Sequence, residues 1–224
     1  LKPVMVELFA GSAVMASTFE KAGFEVFTVD IEDLSRDPEH PIDLVKDIFD
    51  VEHIDLPSEP LVVWASPPCT AYSYARQKDR CFGPGGLPLN EEAHQANRLV
   101  RKTLTLIERM NPTYWFLENP RAYLGKQPFM KKIQGVHVSY CRYGEKVEKP
   151  TQIWGRHPVK WEPKAHCSHV VHRDAITNHR GHGYLVPKKD RAVLPQPLCD
   201  EIVKAVISSR GAYIVESLDA WING

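Results

Sequence analysis

Two clusters in the sequence carry residue types that chemistry needs. SPPCTAYS, residues 66–73, places a thiol, Cys69, directly behind the apolar run LVVWA, and WFLENP places Glu118 and Asn119 at the end of another apolar run. A thiolate is a nucleophile and a carboxyl group can move a proton, so the pair could attack an electron-poor ring while protonating it. Pro67 and Pro68 stiffen the turn that presents the thiol. A free cysteine is most often a small buried hydrophobe, and what sets Cys69 apart is the second run ending in an acid.

A second set of residues points to a nucleoside. FAGSA contains Gly11, which lets the chain turn tightly into a helix whose amino terminus can face a polar or anionic group. Asp30 and then Glu32 follow about 20 residues later, the spacing at which an acid can hold the hydroxyls of a ribose. Asp47 is a further acid, with Ile48 available to lie against a flat ring. Each signal alone is common structural furniture. Taken in order they read as a site for an adenosine-type cofactor.

These residues need a frame that brings strand ends together. PVMVELFA reads as a strand, SAVMASTFEKAG as a helix ended by Gly23, and FEVFTVDI as a second strand. LVVWAS is a further strand. EEAHQANRLVRKTLTLIERM is a long amphipathic helix with Ala96, Leu99, Val100, Leu104 and Ile107 on one side, and TYWFLEN is again a strand. This alternation predicts an α/β fold of Rossmann-like type, a mostly parallel sheet with helices on both faces, whose ligands bind beyond the carboxyl ends of the strands.

The chain has 224 residues, 43% hydrophobic and 25% charged, which suits one full-sized α/β domain. No apolar stretch approaches the roughly 20 residues of a transmembrane helix, and the amino terminus has no signal-peptide layout, so a soluble cytoplasmic protein without a membrane partner is expected. Five cysteines, at 69, 81, 141, 167 and 199, form an odd, widely spaced set without a CxxC pair, which suits neither a disulfide framework nor a structural zinc site and favours reduced thiols. The net charge is zero but unevenly spread. Residues 1–60 hold 14 Asp and Glu against 4 Lys and Arg, so the remaining residues hold 28 − 14 = 14 against 28 − 4 = 24. A basic remainder is the footprint of a nucleic-acid partner, and also fits two solvated faces.

The ordered set ELFAGSA, VDIE, KDI, SPPCTAYS, WFLENP and the YG of CRYG resembles the cytosine-C5 DNA methyltransferases, in particular the short forms of bacteriophages and prophages. The resemblance spans residues 4–155, with a fainter continuation at RAVLPQPLCDEIVKA. It implies S-adenosylmethionine as donor, with Phe9, Ala10, Gly11, Asp30, Ile31, Asp47, Ile48 and Pro68 around its adenosyl part, and double-stranded DNA as partner. It further implies that Cys69 adds to C6 of a cytosine flipped out of the duplex. Glu118 then binds N3 and the exocyclic amine, and Asn119 orients the loop. The segment from Tyr72 to Asn90, with Ser73, Arg76, Lys78, Arg80 and a flexible GPGG, reads as a basic lid over DNA. The expected layout is a catalytic and cofactor-binding core over 1–155, a short His-rich recognition region over 156–190, and a helical segment over 191–224 that packs back on the core of a monomer.

Several departures from the family pattern bear on these expectations. The usual second glycine of the first motif is Ala13, tolerable if the backbone there is helical. The glutamine and paired arginines expected after YG are absent, and Lys149 and Arg142 remain as cations for the base's O2 or a phosphate. Only about 40 residues separate Gly155 from the last helix, too few for a large recognition lobe. Six of the ten histidines fall there, yet HCSHVVH matches no standard zinc spacing and no metal is expected; Arg173, Arg180, Gly181 and Gly183 favour a mobile DNA-contacting loop. Arg191 in DRAVLP stands where the family has a neutral side chain near the donor. A carboxylated S-adenosylmethionine would complement it and yield carboxymethylcytosine; alternatively Arg191 pairs with Asp190 or Glu201 or contacts DNA. An amino-methyltransferase would need an aromatic residue where Cys69 stands. A lapsed DNA-binding relative need not retain both Cys69 and Glu118.

Overall fold

Short apolar strands alternate with helices along the chain, and in the computed structural model they assemble into one seven-stranded sheet of order β3-β2-β1-β4-β5-β7-β6. The structure describes residues 1–34, 41–74, 79–145, 149–165, 167 and 193–210. The strands are β1 Val4–Leu8, β2 Glu25–Asp30, β3 Leu44–Val45, β4 Val62–Ala65, β5 Tyr114–Pro120, β6 Gly135–Ser139 and β7 Pro150–Arg156. The α-helices of the described residues are α1 Val14–Lys21, α2 Glu91–Met110 and α3 Gln196–Arg210. β1 to β5 run parallel to one another, while β7 is antiparallel to both β5 and β6.

Side chains alternate across the sheet, so neighbours in one strand enter different cores. Met5, Trp64, Phe116 and Ile153 pack with Phe19 of α1 and with Leu198, Ile202 and Val206 of α3. Val6, Leu8, Val63 and Ala65 pack on the other face with Leu106, Ile107 and Met110 of α2. Burial on both faces is why these strands read as continuous apolar runs. Asn90 caps α2 by accepting from the Ala93 N–H at 2.9 Å, and Asn111 ends it with φ 50°. The buried stripe of α2 is Ala93, Val100, Thr103, Leu106, Ile107 and Met110, rotated from the expected one. Ala96, Leu99 and Leu104 are only half-buried, because the amino-terminal half of α2 packs on the loop holding Tyr72 and Phe82 as well as on the sheet.

Packing continues past residue 155. His157 stacks on Phe116 with centroids 5.2 Å apart, and Trp161 meets both rings edge-on. Burial holds the His157 imidazole down at about 4, so it stays uncharged in the core. α3 closes the same face: Gln196 Nε2 donates to Thr18 Oγ1 of α1 at 2.9 Å, and Glu201 accepts from Tyr143 OH and Trp161 Nε1. No helix among the described residues is long and apolar enough to cross a membrane.

Candidate active site

The carboxyl edge of the sheet divides into two halves. In the first, the tip of β1 is tied to β2 through main-chain N–H groups: that of Ala10 donates to Val29 O at 3.0 Å and that of Gly11 to the Asp30 side-chain Oδ2 at 2.8 Å. The other Asp30 oxygen accepts from the N–H groups of Ile31 at 2.7 Å and Glu32 at 3.3 Å. Three residues of this loop, Phe9, Gly11 and Ala13, have φ of 60°, 54° and 51°. The helical backbone expected at Ala13 is therefore corrected: it adopts the left-handed conformation just before α1, which costs an L-residue roughly 1 kcal/mol. Its N–H closes a turn onto Ala10 O at 2.7 Å, and that turn sets the conformation.

The space over Gly11 is open, since a Cβ placed there would meet nothing within 4 Å. Ile31 is 61% exposed and Glu32 is exposed beside it, an apolar surface next to a carboxylate. Asp47 is half-buried and caps its own turn, accepting from the Phe49 N–H at 3.0 Å. Ile48 does not lie open to a ring as expected. It is buried among Val6, Leu8, Val29 and Val51, because β3 is only two residues long and the chain turns inward directly after it.

Glu7 was not singled out by its sequence. It is buried on β1, facing α1, and Oε2 accepts from the Ala16 N–H at 2.7 Å. Burial pushes its carboxyl up to about 8, opposed by the Ala16 N–H and assisted by the charge of Asp30. An acid within VMVEL, at a position that alternation sends to the core, was the available signal.

The second half of the edge is built from side chains. Trp64 Nε1 donates to Ser66 Oγ at 2.8 Å, and the Tyr72 N–H to Cys69 O at 3.1 Å, which folds residues 66–72 into a compact turn. Pro67 is buried, Pro68 exposed and Cys69 half-buried. Asn119, fully buried at the end of β5, donates from Nδ2 to Pro67 O at 2.9 Å, which couples ENP to the thiol turn. Its Oδ1 has no hydrogen-bond partner among the described residues.

Glu118 is also buried. Its Oε1 accepts from Tyr140 OH at 3.0 Å and lies 3.6 Å from Lys149 Nζ, with side-chain exposures of 7% for Glu118 and 12% for Lys149. The Lys149 ammonium sits 4.5 Å over the Tyr140 ring. Burial, and then the charge of Glu118, push the Tyr140 hydroxyl well above its usual range, so it remains a donor. Topology explains how Lys149 arrives. β7 is antiparallel to β5, with Pro120 opposite Thr151, so the residue before β7 lies at the edge where β5 ends. Lys149 is thus beside the acid, whereas Arg142 is exposed on the single turn Tyr140–Tyr143.

The lid expectation needs correction at its carboxyl half. Residues 81–90 double back, with Leu89 N–H donating to Cys81 O at 2.8 Å and Gly83 N–H to Leu87 O at 2.8 Å. GPGG is held in place rather than free: Gly86 is buried with φ 88°, its carbonyl accepts from Gln127 Nε2 at 3.0 Å, and a Cβ there would press on Lys126. Phe82 stacks on Tyr72 at 5.0 Å, which anchors the segment to the thiol turn. Ser73 is half-buried and Arg80 exposed. Arg76, Lys78, His166, residues 168–190 and Arg191 lie outside the described residues. Among the described residues no group of three or more His, Cys, Asp or Glu could hold a metal ion. A surface groove of about 380 Å³ lies between the carboxyl-terminal half of α1 and α3, lined by Thr18, Lys21, Gln196 and Asp200, and contains none of the strand-tip residues.

The chain is similar to several known proteins. A curated protein of Frog virus 3 (isolate Goorha), named "Probable DNA (cytosine-5)-methyltransferase", is 26% identical over 156 residues, 67% of this chain and 69% of that one. Among solved structures, a prophage-encoded protein from E. coli assigned as a DNA modification methyltransferase has a TM-score of 0.49 at 15% identity, covering 69% of this chain and 46% of that chain. The Entamoeba histolytica methyltransferase EhMeth has a TM-score of 0.47 at 15% identity, covering 74% and 57%. The chain thus spans about half the length of the solved structures it matches. The family model described as C-5 cytosine-specific DNA methylase matches residues 4–134, from the start of β1 through the thiol turn and ENP, and the chain belongs to that family.

Proposed function

We propose that the chain is a DNA cytosine-C5 methyltransferase that works through a covalent Cys69 adduct. The observation that carries this reading is the union of the two strand tips: Asn119 holds the thiol turn by Pro67 O, while its neighbour Glu118 is held by Tyr140 and Lys149. Cytosine C5 is a poor nucleophile. Addition of the Cys69 thiolate to C6 pushes electron density to C5, and Glu118 stabilises that change by hydrogen bonding at N3 and the exocyclic amine. After C5 has taken the methyl group, its proton departs, the Sγ–C6 bond breaks, and the ring and thiolate are restored. A target inside a duplex must be flipped out to reach the thiol.

S-adenosylmethionine supplies, when bound, a methyl group on a positively charged sulfur. Gly11 leaves room for the adenosyl part, Ile31 offers apolar surface for the adenine, and Asp30 or Glu32 takes the ribose hydroxyls. Asp30 already accepts three main-chain N–H bonds, so Glu32 is the less committed of the two acids. The acidic first quarter of the chain suits a cationic donor, and the basic remainder suits a DNA duplex.

A protein that only binds DNA has no use for a buried Glu118–Lys149 pair, because apolar residues of like volume usually serve stability as well or better. The test is trapping on duplex DNA containing 5-fluorocytosine with S-adenosylmethionine present. Fluorine at C5 cannot leave as a proton, so the Sγ–C6 bond persists. A denaturation-resistant adduct is expected from the wild type and none from Cys69→Ala; no adduct across varied sequences removes the proposal.

A further inference from the structure

Apart from Arg142, the stretch after ENP was not part of the expected DNA surface, yet from Arg121 to Gly144 it holds five Lys or Arg residues and no Asp or Glu. Within it, Tyr123 meets Tyr74 edge to face, with centroids 4.7 Å apart and planes at 76°. Lys126 Nζ lies 5.2 Å from the Tyr74 centroid and 5.0 Å from that of Tyr123. Tyr74 is 50% exposed, and Lys126 and Arg121 are exposed.

This cluster stands on a rigid base. Tyr123 stacks on Phe82 at 5.8 Å and its N–H donates to Tyr72 O at 3.2 Å. Tyr72 OH donates to Asn97 Oδ1 at 2.9 Å, and Asn97 Nδ2 to Gln127 Oε1 at 3.0 Å, so α2 and the post-ENP segment fix the same ring. Since the Tyr72 N–H also bonds Cys69 O, the rings lie one residue removed from the thiol turn.

We propose that Tyr74, Tyr123 and Lys126, with Arg121, form a subsite for single-stranded or locally opened DNA beside the candidate active site. It rests on the reading of the chain as a DNA enzyme and says where an unpaired nucleotide is held. The aromatic pair already has its own ammonium, so it is not a cage for a cationic ligand. A π-face next to a cation instead suits a base with its phosphate, since bases stack on tyrosine while ammonium groups meet the backbone. The exposed cations Arg121 and Lys126 disfavour a basic peptide here.

The experiment measures binding of the full chain to a short labelled oligothymidylate, which contains no cytosine, at several salt concentrations. Tyr74→Ala is expected to weaken binding about fivefold or more, as loss of one base stack does, with an unchanged salt slope. Lys126→Ala is expected to lower the slope of log K against log salt by about 0.7, the loss of one phosphate contact on a single strand. Tyr74→Phe keeps the ring and should bind like the wild type. Binding by both alanine variants within twofold of the wild type overturns the subsite, as does a Tyr74→Phe loss equal to that of Tyr74→Ala. The 5-fluorocytosine adduct separates the two readings: an adduct with unaffected oligothymidylate binding sinks the subsite alone, and affected binding without any adduct sinks the enzyme reading alone.

Discussion

Carboxylates at the tips of β1 and β2 are held by main-chain N–H groups, whereas at the tips of β5 and β7 the carboxylate is held by side chains. Asp30 takes Gly11, Ile31 and Glu32 amides, and Glu7 takes that of Ala16. Glu118 takes the Tyr140 hydroxyl and the Lys149 ammonium. The first half fixes the backbone, including its positive-φ residues, and leaves Ile31 and Glu32 exposed. The second half fixes an ionisable group among buried partners, which is what a proton-handling step requires. On the proposed function, one edge would separate holding a donor from activating an acceptor.

The largest effect expected on that separation is from Glu118→Gln, which keeps the shape and removes the charge. Turnover should fall by about 10²- to 10⁴-fold. Affinity for S-adenosylmethionine, read by calorimetry, should stay within about twofold, and an equal fall in both would merge the two halves into one site.

A smaller effect concerns Glu7, on the other half. Its carboxyl sits near 8 in the folded chain against 4.5 ordinarily, so between those values the native state keeps a proton that the unfolded chain has lost. Stability therefore falls as pH rises through this window, at up to about 1.4 kcal/mol per pH unit. Denaturant unfolding at pH 5.5 and pH 8 should show the loss in the wild type and a flatter profile in Glu7→Gln. An identical slope in both would place the titration elsewhere. The smallest effect is at Ala13, where Ala13→Gly should relieve the left-handed alanine and raise stability by roughly 0.5–1 kcal/mol, visible as a higher unfolding midpoint. A lower midpoint would mean the loop gains nothing from a residue free to adopt positive φ.

Much of this edge is legible in the sequence. Apolar runs broken by glycine, proline and acids give the parallel strands, and the rule that ligands meet their carboxyl ends leads directly to Gly11, Asp30, Cys69 and Glu118. The same rule overlooks Lys149, because a reversed strand delivers the residue that precedes it. Periodicity is also silent on local backbone held by distant groups. The conformation of Ala13 depends on a turn braced through Gly11 and Asp30, and GPGG looks flexible until Phe82 and Gln127 pin it. Ile48 reads as an exposed apolar tip only if β3 is given more than its two residues.

Gly155 gives the reversed strand a further consequence. It lies opposite Phe116 with φ 149°, and a Cβ there would collide with the Trp115 carbonyl oxygen, so no other residue fits the contact between β5 and β7. Side chains alternate with a period of two, and a slip of one residue would carry Lys149 away from Glu118 and turn Ile153 out of the core. The strand pairing therefore acts as an alignment key: the acid meets its cation only in the one register that also closes the hydrophobic layer, and a misthreaded chain has no assembled acid to misuse.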